Sequence, residues 1–252
     1  MCTVVLLLRP GHAWPVILIA NRDERVDRAW DPPDAYWPEY PRIVAGRDRT
    51  AGGTWMGVNG DGVTAAVLNR PGSLGPAAGK RSRGELPLMA LTHATIAAAT
   101  DAITERKAGD WRGFNLVVAD RTGAMFIKGT GQGRPLAQRL PPGVSMITAH
   151  DPNDLDSPRV ARHLRRFQEA AAPDPENWDA WRAILSDRTG PADEQINVPP
   201  RGGFGTVCSS MLAIPARGDL VWWFSAGAPH EAPFVRVNPD PLKPAGSTAF
   251  PP

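Results

Sequence analysis

The residue type with the clearest chemical potential stands at position 2, where Cys2 directly precedes the apolar run Val4 to Leu8. An initiator methionine before a small residue is normally removed, which would leave Cys2 with a thiol and a free α-amine. Their ordinary pKa values are about 8.5 and about 7.7–8.0, so the amine can act as the base for its own side chain. The sequence therefore predicts nucleophilic chemistry at Cys2. The alternative is a small hydrophobic residue that belongs to a strand.

A group of polar residues follows the next apolar run, 15–21, and comprises Asn21, Arg22, Asp23 and Glu24. In an antiparallel pair, the end of this run lies beside the start of the run at 2–9. We therefore expect Arg22 and Asp23 to reach Cys2. An arginine there lowers the thiol pKa, and a carboxylate can hold the ammonium group. The alternative is an ordinary ion pair at the end of a strand.

A third candidate is Asn69, which ends the run 63–69 just before Arg70 and Pro71. An amide at the end of a strand can donate a hydrogen bond to a developing oxyanion, and loss of such a donor costs about 3–4 kcal/mol in catalysis. An asparagine before a proline also commonly initiates a turn.

Runs of alternating or continuous apolar residues predict the elements that position these side chains. Strands are expected at 2–9, 15–21, 53–59, 63–69, 115–120, 124–129, 144–149, 206–214 and 219–227, and helices at 84–106, 157–171 and 176–187. The first two strands are almost entirely apolar, which indicates that helices cover the sheets from outside. The segment 26–50 is rich in Pro, Trp and Asp, and predicts an irregular loop. The four arginines of the helix at 157–171 predict a solvated face, with Arg159, Arg162, Arg165 and Arg166 as its members.

Composition narrows the classes of protein further. The chain has 252 residues and a formal net charge of +2, which is too balanced for a protein that coats nucleic acid or an anionic membrane. Two cysteines without a metal-ligand spacing predict neither a disulfide scaffold nor a metal site. No apolar run is long enough to span a membrane, so we expect a cytoplasmic protein.

We expect one domain over 1–237 and a tail at 238–252, which carries five prolines.

Taken together, these motifs resemble the NRDE family, the transport-and-Golgi-organisation type, named for the run that starts at Asn21. The layout is also similar to that of cysteine N-terminal nucleophile hydrolases: choloylglycine hydrolases, penicillin V acylases and the acyl-coenzyme A:6-aminopenicillanic acid acyltransferase group. The resemblance is carried by Cys2, by the hairpin 57–62 and by the segment 68–72, with looser support from the segments 205–210 and 227–229.

The resemblance implies an α+β fold, a four-layer αββα sandwich of the N-terminal nucleophile hydrolase type. It implies Cys2 as nucleophile, Arg22 and Asp23 as its supporting pair, and Asn69 in the oxyanion hole. The hydrolases separate the arginine and the carboxylate by two residues, so Glu24 competes with Asp23 for the carboxylate role. Further oxyanion or supporting candidates are Asn21, His150 and Asp151.

The activity implied is that of an amidohydrolase or acyltransferase that acts on an amide or thioester of a small acyl compound. It needs no cofactor or metal and no nucleic acid partner. A homo-oligomer is compatible with the sequence. The alternative function on the same fold is a non-catalytic haem- or lipid-binding or trafficking protein, in which the aromatic residues of 30–55 form the ligand wall.

Overall fold

The computed structural model describes residues 2–238, which form two antiparallel sheets packed face to face. The first sheet has six strands, in the order β10-β1-β2-β11-β12-β13. Its members are β1 (Thr3–Leu8), β2 (Val16–Arg25), β10 (Gly143–Ile147), β11 (Phe204–Ile214), β12 (Val221–Ser225) and β13 (Phe234–Arg236). It therefore combines the two ends of the described chain, and its centre is the β1-β2-β11 region.

The second sheet has seven strands in sequence order, from β3 to β9. They are β3 (Trp30–Asp34), β4 (Ile43–Asp48), β5 (Met56–Asn59), β6 (Thr64–Asn69), β7 (Phe114–Asp120), β8 (Gly123–Gly129) and β9 (Leu136–Arg139). Every neighbouring pair is antiparallel. Short turns therefore suffice for most of the connections.

Four helices cover the outer faces of the sheets. They are α1 (Glu85–Leu91), α2 (Ile96–Thr104), α3 (Pro158–Glu169) and α4 (Asp179–Leu185). Helices α1 and α2 lie on the seven-stranded sheet, and α3 and α4 lie on the six-stranded sheet. Helix α3 starts with a proline, whose missing N–H is tolerated in the first turn. The order of layers is thus αββα, which confirms the predicted fold class.

Strand alternation explains why the strands are apolar on both faces. In β1, Val4 and Leu6 face the core between the sheets, whereas Val5 and Leu7 pack against the helix layer. Both sets are buried, because a sheet covered on both sides exposes neither face to water. The inter-sheet core reaches to Cys2 at the end of this layer.

The irregular loop predicted for 26–50 is wrong, because β3 and β4 lie within it. Strand β3 is at the edge of its sheet, and its ladder is interrupted between Asp31 and Asp34. The interruption falls on Pro32 and Pro33, which have no N–H to donate; an edge strand tolerates this, although its sequence pattern argues against a strand.

Of the predicted tail at 238–252, residues 239–252 lie outside the described residues. Over residues 2–238, no helix is long and apolar enough to cross a membrane.

Candidate active site

Strand register brings the first two sequence candidates together. Thr3 on β1 and Ser209 on β11 both lie opposite Asn21 of β2. Cys2 therefore lies beside Arg22 on one side, and Cys208 lies opposite Arg22 on the other. The expectation that the end of the second strand lies beside the start of the first is confirmed.

Alternation along β2 separates Arg22 from Asp23. Arg22 shares the inter-sheet face with Ala20, which belongs to the core between the sheets. Asp23 points to the opposite face, toward α3. Cys2 approaches Asp23 only through the backbone, with its Sγ donating to the Asp23 carbonyl oxygen at 3.6 Å. The two residues of the predicted supporting pair thus act on different sides of the sheet.

A cavity of about 20 Å³ lies between the sheets at this end of the molecule. Its walls include both cysteines, Arg22, Trp55 and Leu68. This volume is room for about one water molecule. The structure therefore describes a small pocket beside the Cys2 residue, which is itself partly exposed.

Arg22 is the charged group of this pocket, and its side chain is only 6% exposed. Its guanidinium carbon lies 4.3 Å from the centre of the Trp55 ring. Its Nη2 lies 3.8 Å from Glu24 Oε2. Among the residues described, Arg22 Nη1 is buried and has no hydrogen-bond partner. Arg22 also hydrogen-bonds with the Cys208 thiol, and several other buried donors of the described residues, such as Arg9 Nε, lack a partner too.

Burial raises the pKa of the Cys2 thiol above its ordinary value, and the charge of Asp23 raises it further. The terminal amine, the Asp23 carbonyl and the charge of Arg22 lower it, but together they do not offset burial. Arg22 does lower the pKa of the Cys2 thiol, as expected, but the combined effect of all the surrounding groups raises this pKa. Burial also raises the pKa of Cys208, to about 12, so this second thiol stays protonated and unreactive.

Asp23 is held in a buried polar network. Its Oδ2 accepts from Arg159 Nη1 at 3.0 Å and its Oδ1 accepts from Thr206 Oγ1 at 2.7 Å. Arg159 Nη1 also donates to Thr3 Oγ1 at 2.9 Å, next to Cys2 in the chain. The network therefore ties the N-terminal strand, β2, β11 and α3 to one another.

The solvated face predicted for the arginines of α3 is wrong for Arg159, which is 2% exposed. Arg165 is indeed exposed, and Arg162 and Arg166 are partly so, in ion pairs with Glu194 and Asp187. No local signal separates Arg159 from the other three, because its carboxylate partner lies 136 residues away in the chain.

Asn21 has a structural role on the helix side of the sheet. Its Nδ2 donates to the carbonyl oxygens of Leu185 and Ile196, at 3.1 and 2.9 Å, and its Oδ1 accepts from Ser209 Oγ at 2.6 Å. The amide is thus fully engaged in joining β2 to the end of α4. It leaves no donor for an oxyanion.

The Asn69 side chain does not line the pocket, although its neighbour Leu68 does. Ala66 and Leu68 of β6 face the inter-sheet core, and Val67 packs toward α1 and α2. Asn69 comes two residues after Val67, so the alternation of side chains along the strand directs the Asn69 side chain to the same face, toward the helix layer.

The backbone N–H of Asn69 has a different direction. The N–H of Val67 donates to the Trp55 carbonyl next to β5, at 2.9 Å, and the N–H of Arg70 donates toward Gly113 beside β7, at 3.4 Å. Because bonding alternates between the two neighbours along an antiparallel strand, the Asn69 N–H points to the β5 side. Strand β5 begins only at Met56, so Asn69 lies beyond the part of β6 that pairs with β5.

His150 and Asp151 follow β10 in a separate polar cluster. Asp151 accepts hydrogen bonds from Arg70, at 2.8 Å, and from Lys128. Burial alone would raise the pKa of Asp151, but these two cations bring it below its ordinary value. His150 Nδ1 lies 3.4 Å from Asp154 Oδ2. Neither residue lines the pocket of Cys2.

Over residues 2–238, no group of three or more His, Cys, Asp or Glu side chains is arranged to hold a metal ion.

Solved structures with this layered fold include several hydrolases. An N-acylethanolamine-hydrolyzing acid amidase ortholog from Caenorhabditis elegans matches with a TM-score of 0.60 and 13% identity, over 86% of this chain and 94% of that one. Penicillin V acylase from Agrobacterium tumefaciens matches with a TM-score of 0.51 and 14% identity, over 89% and 83%. A cysteine-to-alanine mutant of conjugated bile acid hydrolase from Clostridium perfringens matches with a TM-score of 0.52 and 10% identity, over 95% and 98%. At these identities the likeness establishes the fold alone, which is that of the N-terminal nucleophile hydrolases.

Sequence comparison identifies the family within that fold class. Residues 1–223 match the family model described as Transport and Golgi organisation 2, and the chain belongs to this family. The Transport and Golgi organization protein 2 homolog of Bos taurus is 31% identical over 129 residues, which are 48% of this chain and 45% of that protein. The match with this relative thus spans less than half of its length. The resemblance inferred from the sequence motifs is confirmed.

Proposed function

We propose that this protein is a hydrolase or acyltransferase that uses Cys2 as the nucleophile on an amide or thioester of a small acyl compound. One observation carries the proposal: the Cys2 thiol lines a pocket between the sheets together with the buried guanidinium of Arg22. The shared fold with amidases and acylases supports it.

In the proposed reaction, removal of Met1 first exposes the α-amine of Cys2. The neutral amine takes the thiol proton, and the thiolate sulfur attacks the substrate carbonyl carbon. The carbonyl oxygen becomes an oxyanion, which accepts a hydrogen bond from the Asn69 N–H. Collapse of this intermediate breaks the bond to the leaving amine or thiol, which receives the proton from the ammonium group. Water, or an acceptor amine in a transferase, then attacks the thioester and releases the acyl group.

The raised thiol pKa is consistent with a nucleophile that needs an adjacent base. A thiol that stays protonated near neutral pH is weakly nucleophilic until its proton is removed. An α-amine on the same residue provides that base and, once protonated, a positive charge next to the thiolate.

We assign the carboxylate role to Asp23. It is buried and bound by Arg159 and Thr206, and its own carbonyl contacts the Cys2 thiol. Glu24 is partly exposed and lies 3.8 Å from both Arg22 and Arg28. A fixed, buried carboxylate positions an N-terminal ammonium group better than a mobile, solvated one.

Trp55 is the largest side chain of the pocket wall. Its ring covers the Arg22 guanidinium and meets Trp30 edge-on at 5.7 Å. We infer that Trp55 influences the size of the acyl group that reaches Cys2.

The haem- or lipid-binding function is the alternative on this fold. The aromatic wall expected for it is present in part, in Trp30 and Trp55. The cavity volume of about 20 Å³ is far smaller than a porphyrin. A cytoplasmic location and a homo-oligomeric state stay part of this proposal, and cell fractionation and light scattering test them.

The decisive experiment is the intact mass of the protein after exposure to a panel of N-acyl amines and acyl thioesters. We expect an acyl adduct on Cys2, unchanged in Cys208→Ser and absent in Cys2→Ala. Equal labelling of both cysteines, or no adduct with any donor, would contradict the proposed function. Active protein that retains Met1 would contradict the role of the α-amine.

A further inference from the structure

A second cavity, of about 250 Å³, lies at the opposite end of the sandwich from Cys2. Strand β1 connects the two ends: Cys2 precedes its first residue, and Leu8, its last, lines the second cavity. Six residues of strand span about 20 Å. This cavity is therefore separate from the pocket of Cys2.

The floor of the second cavity is apolar and its walls are stiff. Leu8 and Leu140 belong to the inter-sheet core, with exposures of 4% and 3%. Pro10, Pro15 and Pro142 form walls, and a proline ring fixes its own backbone φ. Such a cavity keeps its shape without a ligand, which lowers the entropy lost on binding.

Among residues 2–238, the charged side chains of the cavity lining are two arginines, and no carboxylate lines it. Arg121 Nη1 donates to the carbonyl oxygen of Ala216 at 3.3 Å, and Arg139 Nη2 donates to that of Thr122 at 2.5 Å. A Cβ at Gly123 would come within 2.7 Å of Arg139 Nη2, so the glycine leaves room for the guanidinium to lie there.

Neither arginine has an ion-pair partner within the described part of the chain. The neighbouring carboxylate, Asp120, is occupied by hydrogen bonds from Thr122 and from the Ile96 N–H. Backbone carbonyls hold the two guanidinium groups in place without neutralising them. Two positive charges over an apolar floor favour an anion that carries an apolar body.

We propose that this cavity binds a small amphipathic carboxylate, with the carboxylate on Arg121 and Arg139 and the apolar body on Leu8, Leu140 and the prolines. A guanidinium offers planar paired donors that match a carboxylate. The volume is below the roughly 300–1,000 Å³ of drug-sized pockets, so the ligand has about the size of a medium-chain fatty acid. The site does not depend on the chemistry proposed for Cys2.

The test is a titration of the whole protein with octanoate, followed through the backbone amide resonances by NMR. We expect shifts at Thr122, Gly123 and Gly11 and saturable binding. Octanol, which has the same apolar body without the charge, should leave these resonances unchanged. Arg139→Met and Arg121→Met should each weaken octanoate binding by about tenfold or more, since each removes a charged hydrogen-bond donor.

Arg134→Met is the matched control, because Arg134 is exposed on the loop before β9 and lies outside the cavity lining. It should bind octanoate like the unaltered protein. The proposal is overturned if octanoate shifts only resonances near Cys2, if the cavity resonances do not saturate, or if both cavity variants bind as tightly as Arg134→Met. The three altered side chains are on the surface, so unchanged thermal midpoints check that each variant is folded.

Discussion

Replacing Arg159 by methionine tests the buried network behind Cys2 most directly. Methionine keeps an unbranched apolar side chain in the same place but removes the guanidinium. In the intact protein this group lies 3.0 Å from Asp23 Oδ2, and the two side chains are 3% and 0% exposed. The variant therefore removes the Arg159 charge beside the buried Asp23 carboxylate, while the hydrogen bond from Thr206 Oγ1 is kept.

The expected loss follows from the burial of this pair. Removing one partner of a buried ion pair costs about 3–5 kcal/mol, because the other charge stays desolvated. The hydrogen bond from Arg159 to Thr3 is lost as well, which contributes on the order of 1 kcal/mol. A domain is stable by about 5–15 kcal/mol in total, so Arg159→Met should move the unfolding midpoint by a large and easily measured amount.

The assay is urea unfolding at neutral pH of four proteins: the unaltered chain, Arg159→Met, Asp23→Asn and the double variant. The double variant should lose less stability than the sum of the two single losses, since the two side chains interact directly. Arg165→Met is the control on the same helix. Its side chain is 83% exposed and pairs with Glu169 on the surface, so we expect a loss under about 1 kcal/mol.

The role of this ion pair in stability is refuted if Arg159→Met loses less than about 1 kcal/mol, the range of an exposed pair. It is also refuted if the two single losses simply add in the double variant, because the residues would then be energetically independent.

Three further predictions concern the thiol, the oxyanion donor and acid stability. Arg22→Met should move the pH profile of Cys2 alkylation to higher pH, since Arg22 lowers a thiol pKa that burial raises, whereas Arg25→Met at an exposed site should not. Asn69→Pro, which removes the N–H, should slow Cys2 acylation by about 10²–10³, while Asn69→Ala, which keeps it, should change the rate by less than about tenfold. Burial lowers the pKa of His163 from 6.5 to about 4. As the pH falls from 6.5 to about 4, His163 therefore gains a proton in the unfolded chain before it does so in the native one. The free energy of unfolding should drop by on the order of 3 kcal/mol across this range.

Each of these predictions has its own contrary outcome. If Arg22→Met leaves the pH profile of Cys2 alkylation unchanged, the charge of Arg22 does not lower the pKa of the thiol. Slow acylation in Asn69→Ala equal to that in Asn69→Pro would assign the oxyanion to the side-chain amide. The urea midpoint should be measured at both ends of this pH range, and the difference between the two midpoints should largely disappear in His163→Gln. A difference that stays the same in this variant would assign the effect to another titrating group.

Much of the architecture was predictable because its signals are local. The unbroken apolar runs of β1 and β2 indicate strands covered on both sides, and an antiparallel pair of these strands necessarily places Cys2 beside Arg22. The helix at α3 follows from its apolar stripe and its initial proline. Strand β3 was not predictable in this way, because two prolines interrupt its pattern and only its edge position in the sheet makes them acceptable.

The sequence by itself thus determines the layered fold, the pairing of the first two strands and the presence of a cysteine, an arginine and a carboxylate at one end of them. Only the tertiary structure decides which side of the sheet each group serves: Arg22 faces the thiol, and Asp23 faces α3 and Arg159. It also decides that burial outweighs Arg22 and raises the thiol pKa. The physical reason is that local patterns set backbone direction and alternation, whereas burial and charge depend on partners brought together from distant parts of the chain.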